Sequence, residues 1–268
     1  MAAVANSLAI VSAMGKHAWY PGHMVATQKS IRELAPYLTL FIEVVDARAP
    51  ELTRHRPLER WVGRTPRLVV LNKADLADGR VTQAWIEWYA AQGQVAVPFS
   101  AEHPGSAERL RAAIQARFQP PYRLAVVGVP NVGKSTILNR MVGRHRARTG
   151  GKPGITRGQQ WIRVGNGWEW LDLPGVVTPA RSRDWRLKVL GVVRWEADEA
   201  EELASALWEW APGREPFEDW VSWGRRRGYL GRGGSVDLQR TAEALIHSFQ
   251  TGALGAVSLE TPPAAEGP

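Results

Sequence analysis

Gly128-Val129-Pro130-Asn131-Val132-Gly133-Lys134-Ser135 is the stretch that decides the fold. Before it runs Leu124 to Val127, an apolar segment of strand type. After it, Lys134 to Val142 has helical spacing. Strand, glycine-bearing loop and helix in that order make a phosphate-binding P-loop. Gly128 and Gly133 allow tight backbone geometry and close approach to phosphate oxygens. The loop amides and the first turn of the helix then face the anion. Lys134 is placed to reach the β- and γ-phosphates, and the Ser135 hydroxyl to bind Mg2+. The expected cradle is Pro130, Asn131, Val132, Gly133, Lys134, Ser135 and Thr136.

Outward from this loop the chain alternates between strands and helices. Leu38 to Val45, Arg67 to Leu71 and Val95 to Phe99 read as buried strands. Trp161 to Val164 and Trp168 to Leu171 flank Gly165-Asn166-Gly167, a strong hairpin signal. Val81 to Ala91 and Ala107 to Phe118 read as helices. Such alternation predicts an α/β domain, a mostly parallel sheet with helices on both faces. The character changes near Pro179. Trp185 to Trp195, Glu199 to Trp210 and Val236 to Phe249 read as helices, the second with an acidic face. The expected organisation is an N-terminal extension (1–18), an α/β domain (19–180), a smaller all-helical domain (181–260) and a disordered Pro/Ala-rich tail (261–268). Leu8-Ala9-Ile10-Val11 has no preceding Lys or Arg and no clear cleavage site after it, so it reads as a loose extension and not a signal peptide. Recognisable sequence begins just after Met14.

Composition narrows the partners. The chain of 268 residues carries a net charge of +8, and most of its cations are Arg. Arg forks onto phosphates and stacks on bases better than Lys does, so the balance points to a polyanionic partner, nucleic acid first. There is no cysteine, which excludes disulfides, thiolate metal sites and Cys nucleophiles and fits a cytoplasmic location. No apolar run reaches the roughly 18 residues that would span a bilayer. Most of the 13 Trp residues are expected in the core, with a few free to stack on bases.

Three further motifs fit around the P-loop. Asn72-Lys73-Ala74-Asp75 follows a strand and looks like the guanine-reading motif of GTPases. A carboxylate at Asp75 accepts from guanine N1–H and the 2-amino group, a donor pair that adenine lacks. Ser100-Ala101, after the third strand, would offer backbone to guanine O6. Asp172-Leu173-Pro174-Gly175 resembles the DxxG motif, in which Asp172 holds Mg2+ through water and the Gly175 amide senses the γ-phosphate. Thr156, in the segment Gly154-Ile155-Thr156, is the candidate switch threonine for Mg2+ and water.

The order of these motifs is inverted, because the guanine motif ordinarily lies downstream of the P-loop. The chain therefore resembles the circularly permuted GTPases, and among them the ribosome biogenesis GTPase A (RbgA/YlqF) family. The likeness runs from Trp19 to about Glu260. It includes Trp19-Tyr20-Pro21-Gly22-His23-Met24, Asp46-Ala47-Arg48, Gly150-Gly151-Lys152-Pro153-Gly154-Ile155-Thr156, Gly228-Tyr229-Leu230 with Gly233-Gly234, and Thr251-Gly252-Ala253-Leu254-Gly255. The resemblance implies a GTPase acting in assembly of the large (50S) ribosomal subunit. Its helical domain would dock on ribosomal RNA and proteins, and the protein is expected to be monomeric.

Where Ras-like enzymes carry a water-orienting Gln, this chain has Val176, and the resemblance implies a hydrophobic residue at that position across the family. Turnover by the protein alone is therefore expected to be slow. The missing function would come from His23 placing water, from K+ held at Asn131 offsetting transition-state charge, or from the ribosome completing the site. Arg225, Arg226, Arg227 and Arg232 are candidate RNA phosphate contacts, or else a solvated basic loop. Two alternatives stay open: an RNA-binding adaptor with incidental hydrolysis, and action on the small subunit.

Overall fold

The structure is a computed structural model. It describes residues 21–143, 149–150, 161–173, 183–210 and 217–263, with side chains omitted at 21–27, 149–150 and 172. His23 is therefore described by backbone alone, and Thr156, Gly175 and Val176 lie outside the described residues.

Among the described residues seven strands form one sheet in the order β3-β2-β1-β4-β7-β6-β5. They are β1 (Leu40–Asp46), β2 (Arg67–Asn72), β3 (Val95–Phe99), β4 (Tyr122–Val127), β5 (Thr149–Gly150), β6 (Trp161–Val164) and β7 (Trp168–Asp172). β3, β2, β1, β4 and β7 run parallel, while β6 and β5 are antiparallel additions at one edge. From β1 the chain moves outward to β2 and β3, then returns across β1 to β4. The order reverses between β1 and β4, and ligands of open α/β sheets bind outside the carboxyl ends of the strands at such a point. Asp46, Asn72, Phe99, Val127 and Asp172 all stand at those ends. The inverted motif order is thus reconciled in space: the guanine-type motif and the P-loop leave the same end of one sheet.

The central strand shows why the sheet is double-sided. Every residue of β1 is buried. Leu40, Ile42 and Val44 join Leu68, Val70 and Val126 on one face, under α5 (Ser106–Gln115) and α6 (Lys134–Val142). Phe41 faces the other way, with Ile31 and Leu34 of α1 (Pro21–Leu34) and Leu58 and Trp61 of α3 (Leu58–Trp61). Val45 meets Trp85 and Tyr89 of α4 (Gly79–Ala91). Glu43 and Asp46 are the polar residues of β1, and Glu43 is fully buried against Arg54 and Arg67 at 3.4 and 3.0 Å. Burial pushes its carboxyl up, against the pull of the two guanidinium groups.

The helical region comprises α7 (Trp185–Val189), α8 (Ala200–Trp208), α9 (Trp220–Arg226) and α10 (Leu238–Thr251). Asp184, Asp219 and Asp237 cap α7, α9 and α10 through side-chain oxygens that accept backbone N–H groups. Leu187, Leu203, Leu207, Leu245 and Phe249 belong to the same continuous apolar cluster as the α5/α6 face of the sheet.

Several elements depart from the sequence expectation. α7 stops at Val189, six residues before the expected end at Trp195. Gly191 takes φ +73 there, and Gln250 Nε2 donates to the Val189 carbonyl. Arg225 and Arg226 sit in the last turn of α9 and not in a loop. α9 accommodates Gly224 because Thr241 of α10 lies against it; a Cβ would stand 2.1 Å from Thr241 Cγ2. The helix beginning at Pro21 and the short helices α2 (Pro50–Thr53) and α3 were not expected at all. Eight of the Trp residues are in the core, and Trp210 is the exposed one among the described residues.

Candidate nucleotide site

β4 ends at Val127, and the P-loop turns beneath the carboxyl end of β1. Two close approaches explain its glycines. A Cβ on Gly128, at φ +152, would lie 2.4 Å from the Val44 carbonyl oxygen. A Cβ on Gly133, at φ +95, would lie 2.2 Å from Asn72 Nδ2. Neither position admits a side chain without moving backbone or the Asn72 amide. Gly133 is also the N-cap of α6 and offers no side-chain acceptor, so the first amides of that helix are not capped by it. An uncapped helix N-terminus is an anion site. Lys134 is part-buried in that first turn, and its Nζ donates to Val129 O at 2.9 Å. Ser135 and Thr136 follow it, both exposed.

The second loop comes from β2. Asn72 is buried and its Nδ2 donates to Val132 O at 2.7 Å, fastening this loop to the P-loop. Lys73 takes a left-handed backbone, φ +58, and its Nζ pairs with Asp46 Oδ2 at 3.1 Å. Asp75 is exposed at the rim. The Ala74 amide donates to Phe99 O, which brings in the end of β3. There Ser100 is buried, with its Oγ accepting from the Glu102 amide, and Ala101 follows it. The structure thus gathers Asn72, Lys73, Asp75, Ser100, Ala101 and Pro130 to Thr136 around one end of the sheet.

Three observations bear on metal binding. Ser135 stands in the first turn of α6. Asp172 pairs in register with Val126 at the end of β4, directly beside the P-loop strand. Asn131, at φ +61, donates from Nδ2 to Gly191 O at 2.8 Å, so its carboxamide oxygen is the atom that could accept a cation. A hydroxyl and a carboxylate at a phosphate loop are hard oxygen donors, the set that Mg2+ prefers. No group of three or more His, Asp or Glu side chains suited to a metal occurs among the described residues.

The motif reading assigned no role to Asp46 and Arg48, although both are buried beneath the loop from β2. Arg48 grips the Asp46 carboxylate with two donors, Nε and Nη2, each at 2.9 Å. Burial alone would raise the Asp46 carboxyl; Arg48 and Lys73 overrule it and hold the group at about 2. A signal was available: an acidic residue closes a mostly apolar strand next to the strand that carries Asn72.

A family model described as 50S ribosome-binding GTPase matches residues 123–205. The ribosome biogenesis GTPase A of Priestia megaterium is 31% identical, covering 93% of this chain and 98% of its own. That of Thermotoga maritima is 33% identical, covering 91% and 94%. The chain belongs to the ribosome biogenesis GTPase A family. Solved structures agree with the fold. A GDP-bound TM YlqF has a TM-score of 0.69 at 30% identity, over 87% of this chain and 98% of that one. A GNP-bound YlqF from T. maritima has a TM-score of 0.65 at 27% identity, over 88% and 97%. As a member of the ribosome biogenesis GTPase A family, the protein is a GTPase: it binds GTP and hydrolyses it to GDP and phosphate on a circularly permuted α/β sheet.

Proposed function

We propose that this GTPase assists assembly of the large ribosomal subunit, binding pre-ribosomal particles through its helical region when GTP is bound. The ribosomal part of this reading rests on the family, and the observation that carries the nucleotide part is the Asn72–Val132 hydrogen bond. It locks the loop that ends in Asp75 to the loop that ends in Lys134, so one nucleotide spans both. Asp75 reads guanine N1–H and the 2-amino group, the Ala101 amide meets O6, and Asn72 holds the two loops in register. Lys134 leaves Val129 O for the β/γ-phosphate oxygens, and the α6 amides complete the anion cradle.

Ser135 and Asp172, with Thr156, would hold Mg2+, which when bound offsets phosphate charge. The Asn131 oxygen would hold K+ near the β/γ bridge. Gly175 would sense the γ-phosphate. With Val176 unable to orient water, His23 or the particle itself supplies that function, and turnover by the protein alone is slow. Exposed Arg225, Arg226, Arg227 and Arg232 give the helical region its RNA-facing charge. No helix among the described residues is long and apolar enough to cross a membrane. The work proposed here belongs to the cytoplasm and to a monomer.

The test is GTP hydrolysis in potassium buffer with and without purified large subunits. Stimulation by large subunits and not by small ones is expected. No stimulation by either would favour a GTP-liganded RNA adaptor. Replacing K+ by Na+ tests Asn131, and calorimetry of GTP against ATP tests Asp75.

A further inference from the structure

Lys73 lies between the nucleotide loop and a buried ion pair. Its left-handed backbone is strained for a residue with a side chain. Something must hold it there, and Asp46 is the group in contact. That carboxylate receives Lys73 Nζ at 3.1 Å on Oδ2 and the Arg48 fork on both oxygens. Around it the backbone is tied as well: Ala47 N donates to Asn72 O at 2.7 Å, and Asp46 N donates to Thr53 Oγ1 at 2.9 Å.

Arg48 is anchored in turn by the end of the helical region. Its Nη1 donates to Phe249 O, its guanidinium lies 4.6 Å from the Phe249 ring centroid, and its carbonyl accepts from Leu259 N at 2.7 Å. The residues after α10 then run along the same loop. Val257 N donates to Leu76 O at 3.0 Å, and Asp78 N donates to Ser258 Oγ. Asp46 and Arg48 are thus a bridge with the nucleotide loop on one side and the C-terminal segment on the other.

We propose that Asp46 and Arg48 are positioning residues for guanine-nucleotide binding: Arg48, anchored on the C-terminal segment, aims the Asp46 carboxylate, and that carboxylate sets Lys73 against the nucleoside. The proposal rests on the reading that Lys73 and Asp75 touch the nucleoside. In this arrangement Asp46 and Arg48 act through Lys73 and not by contact with the nucleotide. Asp46→Asn keeps the shape and an acceptor for Arg48 but removes the charge that steers Lys73. A buried charged hydrogen bond is strong enough for its loss to weaken binding by roughly tenfold.

The experiment is a double-mutant cycle on the full chain, with GDP and GTP affinities read by calorimetry below the melting temperature of every variant. Asp46→Asn is expected to weaken both nucleotides about tenfold and to raise KM while kcat at saturation stays within about twofold. On a Lys73→Met background the same change is expected to cost almost nothing further, because Asp46 acts through Lys73. Additive losses would overturn the proposal, as would unchanged affinity in Asp46→Asn. If Asp46→Asn does not fold, Arg48→Lys replaces it; it retains charge but loses the fork. A loss that persists undiminished on the Lys73→Met background then overturns the proposal equally. Asp75→Asn separates the two levels. If it fails to alter base preference, the underlying reading of the nucleoside site is wrong. If it does alter base preference while the cycle is additive, only the positioning role is lost.

Discussion

The P-loop and the loop from Asn72 to Asp75 face each other across one cleft but are made from different material. The P-loop offers backbone: two glycines where no Cβ fits, and a helix start that no side chain of its N-cap closes. The other loop offers side chains: an amide that reaches across to Val132, an ammonium held on a buried carboxylate, and an exposed carboxylate at the rim. Phosphate is the same in every nucleotide, and backbone amides serve it without regard to the base. A base is distinguished by its edge, and only a side chain of the right charge and shape reads an edge. The comparison teaches that damage should follow the material: adding atoms should harm the first loop, and changing charge should re-tune the second.

The largest effect is expected at Asp75. Asp75→Asn exchanges an acceptor for a donor, which suits the C2 carbonyl of xanthine. The GTP-to-XTP preference should invert, a change on the order of 10⁴-fold, measured as the ratio of kcat/KM values. An unchanged ratio would remove Asp75 from base reading and erase the contrast. Next comes Gly133→Ala, whose Cβ would meet Asn72 Nδ2 at 2.2 Å. Displacing the loop by that much should cost on the order of 10²-fold in GTP affinity, with no change in base preference.

A smaller effect concerns stability. The Asp46 carboxyl is depressed from 3.8 to about 2 in the folded protein, so its contribution is present above 3.8 and disappears as pH falls through about 2. Near neutral pH, Asp46→Asn should be less stable than the wild type by about 2 kcal/mol. Urea unfolding at a series of pH values should show the gap closing between these two limits. A gap independent of pH would mean the ion pair is not what holds the second loop. The smallest effect belongs outside the cleft. Arg227 stacks 4.4 Å from the Trp223 ring centroid, while Arg225 is exposed with no ring partner among the described residues. Arg225→Ala should flatten the slope of log affinity for RNA against log salt by about 1, without altering GTP hydrolysis by the protein alone.

Much of the cleft was legible because local patterns carry it. Gly128 to Ser135 announces itself through strand, glycine and helix signals in sixteen consecutive residues (123–138), and β3, β6 and α6 match their expected bounds. Gly165-Asn166-Gly167 was legible for the same reason: Asn166 and Gly167 take φ +63 and +78, the turn that the dipeptide favours. What escaped depends on partners distant in sequence. The run Trp185 to Trp195 has helical spacing throughout, yet Gly191 ends the helix early, with Asn131 and Gln250 bonded to carbonyls at its end. α9 was not among the expected helices, and its Gly224 is explained only by the neighbouring Thr241. Asp46 and Arg48 were visible as residues but silent as chemistry, since their meaning comes from Lys73, Phe249 and Leu259.

The bond from Asn131 to the Gly191 carbonyl has a mechanical consequence. One carboxamide side chain touches the phosphate-binding turn at its root and the end of α7 at its tip. Any movement of that turn as its anion arrives or departs must therefore drag the start of the helical bundle along or release it. The cleft and the first turn of the helical region are thereby joined by a tether only one side chain long.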